Sequence, residues 1–466
     1  MGQASVTSPW DGREIDEVAL AGAEHVEDAL AAAYALFRDR TQWLSVARRV
    51  DILQKAADLV ESRLEELSVL AASEGGKPYT DSRVEVIRAI DGLKLCAETL
   101  RGDSGEVIPI ATTPATEGRI AITHKEPVGV VVAVSAFNHP LNLIVHQVGP
   151  AVASGCPVIV KPAADTPLSC LALVRILHEA GLPREWCQAM VTENNDVATQ
   201  LVTDRRVGFF SFIGSARVGW MLRSRLAPGT RCALEHGGAA PLILAPPYDF
   251  DAAVAAVNKG GFYHAGQVCV SVQRVFAVGE DAQRFAGALA KSAAALTVGP
   301  PEDPDTDVGP LIRPAELERV ADWVEQAITA GAKCVTGGKK ISACAYEPTV
   351  LLNPPQDARV SCEEIFGPVV CVYRCDNIDE AIDQANALPV AFQAAVFTDD
   401  IDTALDISRR LDASAVMIND HTAFRDDVMP FAGLRESGLG IGGIPYTMHD
   451  MQIDRLTVIK SAGIKR

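Results

Sequence analysis

Three residues of this chain have the types and settings for acyl chemistry. Cys269 lies in Gly266-Gln267-Val268-Cys269-Val270-Ser271-Val272-Gln273-Arg274, Glu235 in Leu234-Glu235-His236-Gly237-Gly238, and Asn138 in Phe137-Asn138-His139-Pro140. A thiolate can add to a carbonyl, a carboxylate can activate water, and an amide N–H can stabilise the oxyanion formed in between. Those are the parts needed to oxidise an aldehyde to an acid through a thioester. Taken singly, each has a plainer reading. Cys269 could be a small buried hydrophobe, as the other ten cysteines are read to be. Glu235 could be a surface acid or an ion-pair member, and Asn138 a turn residue before Pro140.

The elements around these residues follow from apolar spacing. The first hundred residues read as a helical region, in which 25–38, 46–73 and 82–101 repeat apolar side chains every three or four positions and predict helices. Residues 117–125 predict an extended strand outside the main pattern. From Gly129 onward, short apolar runs at 130–134, 158–160, 189–191 and 209–212 alternate with helical patterns at 143–154, 168–180 and 196–203. Short buried strands alternating with helices predict a parallel, doubly wound α/β sheet. A second alternating series has strands at 242–244, 274–278, 369–373 and 415–418, with helices at 251–261, 282–296 and 314–331. The boundary between the two series falls near residue 237. Residues 454–460 form an isolated strand pattern, expected to pair with the strand near 120 or with another subunit.

Composition bounds the partners. A chain of 466 residues exceeds one core, so about three units are expected. A net charge of -18 argues against nucleic acid and anionic membrane as partners. The eleven cysteines form no Cys-x-x-Cys pair and no zinc framework, so no metal site is expected. The first residues carry no apolar signal core and no run approaches a membrane span, which makes a cytoplasmic protein the expectation.

The cofactor side is read from strand ends. Gly214-Ser215-Ala216-Arg217-Val218-Gly219 follows the apolar run ending at Phe212 and opens a helical pattern, a context that can turn backbone N–H groups toward a pyrophosphate. It lacks the three-glycine dinucleotide fingerprint, and a plain strand-to-helix turn remains the alternative. Lys161-Pro162 directly after Val158-Ile159-Val160 puts an ammonium at the carboxyl end of a neighbouring strand, where ligands gather in such sheets.

With these residues assembled, the chain resembles the NAD(P)-dependent aldehyde dehydrogenase superfamily over nearly its whole length. The matching phrases are Glu126-Pro127-Val128-Gly129-Val130, Phe137-Asn138-His139-Pro140, Val160-Lys161-Pro162-Ala163, Gly214-Ser215, Leu234-Glu235-His236-Gly237-Gly238 and Gly266-Gln267-Val268-Cys269. They continue with Glu363-Glu364-Ile365-Phe366-Gly367-Pro368 and Pro430-Phe431-Ala432-Gly433, in the family's order and spacing. Tyr263-His264-Ala265-Gly266-Gln267-Val268-Cys269, with Ala423-Phe424-Arg425, is most similar to the lactaldehyde dehydrogenase-like branch. The resemblance implies a Rossmann-like cofactor domain (1–112 and 127–236), a second α/β catalytic domain (237–450) and a β-hairpin oligomerisation arm (113–126 and 451–466). It implies a homodimer or homotetramer acting on a small-molecule aldehyde.

The resemblance also implies roles. Cys269 attacks the aldehyde, and the Asn138 amide and the Cys269 N–H hold the oxyanion. Hydride loss to the nicotinamide leaves a thioester, which Glu235-activated water hydrolyses. Lys161 matches the lysine that binds the adenosine ribose, Glu364 the acid that holds the nicotinamide ribose, and Phe366 the ring beside it. Phe137, Gly214 and Ser215 fall at further cofactor-contacting positions. Ala164 stands where NAD-preferring members carry Glu, which admits NADP, whereas Glu193 stands where glycine is common and its charge opposes a 2′-phosphate. The cofactor is NAD or NADP, with the reading leaning to NAD. His236, Ala239 and Ala432 also depart from the family's Leu, Asn and Gly. His146, Arg88 and Arg425 fall on the expected substrate tunnel, and the arginines suit an acid group. A small polar aldehyde, hydroxylated or anionic, is therefore the expected substrate. Two alternatives stay open: a coenzyme A-acylating dehydrogenase, and a low-activity binding or structural paralogue.

Overall fold

The fold is described from a computed structural model covering residues 2–464. Its first sheet orders the strands Gly438–Leu439, Arg231–Glu235, Val207–Ile213, Val130–Val134, Val158–Lys161 and Cys187–Ala189, all parallel except the short outer Gly438–Leu439. Successive residues of a strand face opposite sides. Val131 and Ala133 enter a core built with the helices Val46–Ser62, Tyr79–Gly102 and Asn142–Ser154, whereas Val130 and Val132 enter another beneath Ala23–Arg38. Both faces are therefore covered, which is why these strands read as unbroken apolar runs.

The second sheet orders Lys333–Thr336, Thr349–Leu352, Val369–Cys375, Val272–Val278, Ala240–Leu244, Gln393–Phe397 and Ala415–Ile418, parallel except at Lys333–Thr336. Residues 438–451 return from this half: Gly438–Leu439 pairs with Arg231–Glu235, and Ile444, Met448 and Met451 enter the first half's core. The strands Arg119–Pro127 and Gln452–Lys460 pair antiparallel from Gln452↔Pro127 to Lys460↔Arg119, as the sequence allowed. The remaining expectation for the arm, at residues 465 and 466, lies outside the described residues.

Three expectations are corrected. Residues 46–73 are two helices, Val46–Ser62 and Leu64–Gly75, broken at Arg63, which leaves helical geometry at φ −114°, ψ 21°. No glycine or proline marks the break, and the apolar period runs on across it. The run 189–191 is also divided. Cys187–Ala189 closes the first sheet, and Val191–Thr192 joins a separate sheet with Gly2–Thr7 and Glu14–Ala21. That amino-terminal hairpin was read as part of a helical region. Its strands bury little beyond Val6, Val18 and Ala21, too few apolar positions to show a period of two. Among the described residues no helix is long and apolar enough to cross a membrane.

Candidate active site

The parallel strands of the first sheet all end toward one edge. Lys161 closes one strand and Glu235 another, Asn138 follows Val130–Val134, and Gly214 follows Val207–Ile213. The second half presents the opposite polarity, with Cys269 just before Val272–Val278 and Glu364 and Phe366 just before Val369–Cys375. The site thus lies where the carboxyl edge of one sheet meets the amino edge of the other. Direct contacts join the two edges. Asn138 Nδ2 donates to the Gln267 carbonyl at 2.9 Å, and the Phe137 and Phe366 rings meet edge to face at 5.8 Å between centroids.

The nucleophile loop owes its shape to backbone conformations that few residues tolerate. His264, Ala265 and Gly266 take φ of 47°, 53° and 69° in succession. A Cβ on Gly266 would stand 2.0 Å from the Gly367 carbonyl oxygen, so only glycine fits that close approach. Gln267, fully buried, locks the loop from below: its Nε2 donates to Pro310 O at 3.2 Å, and its Oε1 accepts from Ile312 N at 3.0 Å. The Asn138 amide is thereby tied to the backbone two residues before Cys269, with no second side-chain donation among the described residues. Burial pushes the Cys269 thiol up to about 12, helped by the charges of Glu364 and Glu235 and opposed by Arg425. The free thiol therefore holds its proton near neutrality. Glu235 is likewise raised by burial, with Arg425 pulling it back down.

The three expected substrate residues come together, around a fourth. Arg425 Nη2 donates to His146 Nδ1 at 3.2 Å, and His146 Nε2 donates to Asp427 Oδ1 at 2.8 Å. Arg88 Nη2 donates to the same oxygen. The Arg425 guanidinium also stacks 3.6 Å above the centre of the Phe431 ring, within the apolar cluster that holds Cys269. Burial and the nearby Arg425 depress His146 to about 4, so it is neutral at pH 7. Asp427 is held below the usual carboxylate range by His146 and Arg88, against the effect of its burial. It was absent from the expected site. Its place two residues after Arg425 was the one available signal, and nothing in the sequence joins it to residues 88 and 146.

The expected cofactor residues divide by setting. Glu364 lies against Gly237, where a Cβ would come within 1.5 Å of its Oε1. That oxygen is buried with no hydrogen-bond partner among the described residues, and burial raises the carboxyl to about 8. Ser215 begins the helix Ala216–Arg223 without using its hydroxyl as a cap. Lys161 Nζ reaches the Pro162 carbonyl at 3.1 Å, and Ala164 and Glu193 are exposed. His236 packs between Phe212 and Trp220 and donates from Nδ1 to the Gly214 carbonyl at 2.7 Å, joining the turn to the strand that carries Glu235.

Residues 2–455 match the model of the aldehyde dehydrogenase family. The chain belongs to this family. Among curated relatives, a 3-sulfolactaldehyde dehydrogenase of Priestia aryabhattai is 38% identical over 95% of this chain and 92% of its own. A lactaldehyde dehydrogenase of Methanocaldococcus jannaschii is 35% identical over 97% and 96%. Among solved structures, aldehyde dehydrogenase 21 of Physcomitrella patens, in complex with its product succinate, superposes with a TM-score of 0.95 at 33% identity, covering 99% of this chain and 96% of that one. A glyceraldehyde-3-phosphate dehydrogenase from M. jannaschii, complexed with NADP, gives 0.92 at 34% identity, over 98% and 99%.

This aldehyde dehydrogenase is an NAD(P)-dependent enzyme with the family's α/β fold. Its residues fit a nicotinamide dinucleotide. The unpartnered Glu364 oxygen lacks a donor such as a ribose hydroxyl, the Ser215 hydroxyl is uncommitted, and the Gly214 turn opens a helix at the carboxyl edge of a parallel sheet. Among the described residues no group of three or more His, Cys, Asp or Glu could hold a metal ion.

Proposed function

We propose that this enzyme oxidises small polar aldehydes bearing an acid group, with Cys269 as nucleophile, Glu235 as hydrolytic base and Asn138 as oxyanion donor. The observation that carries the substrate reading is the convergence of Arg88, Arg425 and neutral His146 on the single carboxylate of Asp427. Two guanidiniums against one carboxylate leave a positive balance within this cluster, and an acid group satisfies it. The names of two similar proteins point the same way, one to a sulfonated aldehyde and the other to a succinate product.

The Cys269 thiol passes its proton to a base and adds to the aldehyde carbon, while the free Asn138 N–H and the Cys269 N–H hold the oxyanion. Nicotinamide, when bound, supplies the acceptor for the aldehyde hydride. Glu235 takes a proton from water, which attacks the thioester and releases the acid and the thiolate. Glu364, Lys161, Ser215, Gly214, Phe137 and Phe366 would hold the cofactor, and Ala164 and Glu193 would bear on its choice between NAD and NADP. The Glu193 carboxylate repels a 2′-phosphate, which favours NAD. The same reading makes the enzyme a cytoplasmic homodimer or homotetramer.

Steady-state kinetics test this with NAD and NADP against acid-bearing, hydroxylated, long aliphatic and aromatic aldehydes. An acid-bearing hydroxyaldehyde is expected to exceed long aliphatic ones at least about tenfold in kcat/KM, a difference of about 1.4 kcal/mol in transition-state binding. Better use of long aliphatic or aromatic aldehydes overturns the substrate reading. A strong NADP preference overturns the cofactor lean.

A further inference from the structure

Asp427 does more than hold two arginines in place. Its side chain is 8% exposed, and its Oδ1 meets Arg88, His146 and Arg425. Because His146 donates to Asp427 and accepts from Arg425, its ring is neutral in this arrangement. The formal charges in the acid-group pocket are then Arg88 and Arg425 against Asp427, one net positive charge for this cluster. Other charged groups nearby cancel in pairs, Lys77 with Glu85 and Lys259 with Asp81. Two further carboxyls, Glu235 and Glu364, act on the Cys269 thiol rather than on this cluster; burial raises both, and Arg425 is the cation that acts on Glu235.

We propose that Asp427 sets the charge the substrate pocket accepts at one, so that the enzyme takes aldehydes with a monoanionic acid group, carboxylate or sulfonate, and discriminates against phosphate-type dianions. This rests on the acid-bearing substrate reading above. A monoanion neutralises the pocket. A dianion leaves an excess negative charge in a partly buried site, where charges a few ångströms apart are poorly screened. The excess also acts on Glu235. With Arg425 drawn to a second negative charge, Glu235 holds its proton to higher pH and is a poorer base for thioester hydrolysis. The discrimination therefore falls on kcat as well as on KM.

The test uses the purified full chain and three aldehydes of one length and near-identical shape, 3-sulfopropanal, 3-phosphonopropanal and a neutral sulfonamide analogue, at pH 8, where the phosphonate is mostly a dianion. Wild type is expected to favour the sulfonate over the phosphonate by at least about tenfold in kcat/KM, with part of the difference in kcat. Asp427→Asn is expected to bring the two within about threefold of each other, by gain for the phosphonate relative to the sulfonate. Equal or better use of the phosphonate by wild type overturns the proposal even if the variant fails to fold. A folded Asp427→Asn enzyme that keeps the full wild-type ratio overturns the role of Asp427. If the sulfonamide matches the sulfonate, it is the acid-bearing reading itself that falls.

Discussion

Arg425 acts on both proposed catalytic groups at once, because its charge lowers the pKa of the Cys269 thiol and of the Glu235 carboxyl, which burial raises. Both groups work deprotonated, so the rate rises with pH, and its acidic limb lies above the ordinary carboxylate range. Replacing Arg425 by Gln removes the cation that favours both anions. The limb of a kcat/KM profile then moves to higher pH, with activity lost at pH 7 and partly regained in alkali, whereas Arg425→Lys keeps most of the wild-type limb. An unmoved limb in Arg425→Gln contradicts this assignment. Glu235→Gln separates the two halves of the reaction. Its first-turnover burst of reduced nicotinamide survives in stopped-flow absorbance, while steady turnover falls about 10²–10⁴-fold. Cys269→Ala loses the burst altogether. A coenzyme A-dependent enzyme would instead need the thiol cosubstrate for turnover, with Glu235 dispensable. At this scale the sequence was informative where a role sits inside a local phrase. Cys269, Glu235 and Asn138 could be read that way. Asp427 could not, because its three partners lie on a distant helix, a second helix and its own loop, and only the folded chain joins them.

The helix Tyr79–Gly102, which carries Arg88, also shows how an element can govern a site from behind. Glu85, on its buried face, accepts from the backbone N–H of Leu141 and Asn142 through Oε1, at 2.9 Å each. Its other oxygen pairs with Lys77, which also donates to the Asn138 carbonyl at 3.3 Å. Lys77 and Glu85 are 0% and 1% exposed, so this buried pair fixes the segment carrying Asn138. Glu85→Gln leaves an uncompensated ammonium in the interior and is expected to cost about 3–5 kcal/mol, read as a lowered thermal midpoint. The surviving enzyme should show a reduced kcat, because the backbone that carries Asn138 loses its anchor. A midpoint within about one degree of wild type would show the pair to be unimportant, since even 1 kcal/mol moves domains of 150–250 residues by about 2–4 °C. Periodicity revealed the helix, but not this function. It also missed the break at Arg63 and the strand Gln393–Phe397, whose Gln-Ala-Ala-Val-Phe lacks the β-branched density of its neighbours. In each case tertiary contacts decided what local preference left open.

The arm poses its question for the whole molecule. The strand Gln452–Lys460 lies at the edge of a three-stranded sheet with one side of its backbone unpaired, and every residue after Gln452 is exposed. Leu456, Val458 and Ile459 are about half exposed, at 54%, 50% and 48%. A soluble protein seldom leaves an apolar edge strand open, because it is a template for pairing with another chain. The root of the arm is firmly held. Glu126 is bound by Arg40 through both oxygens, with His124 and Arg455 beside it, and is held near 2, so this anchor persists until pH falls well below the ordinary carboxylate range. A fixed root with an exposed apolar edge is the geometry expected of the proposed subunit contact. Leu456→Glu with Val458→Glu is therefore expected to shift the mass seen by light scattering from an oligomer to the 49.5 kDa of one chain. Turnover per site should largely persist in the separated chain, because the proposed catalytic and cofactor residues all lie within one copy. A wild-type protein that is monomeric at micromolar concentration would show that the open edge is tolerated. An oligomer unchanged by the two glutamates would place the subunit contact elsewhere on the surface.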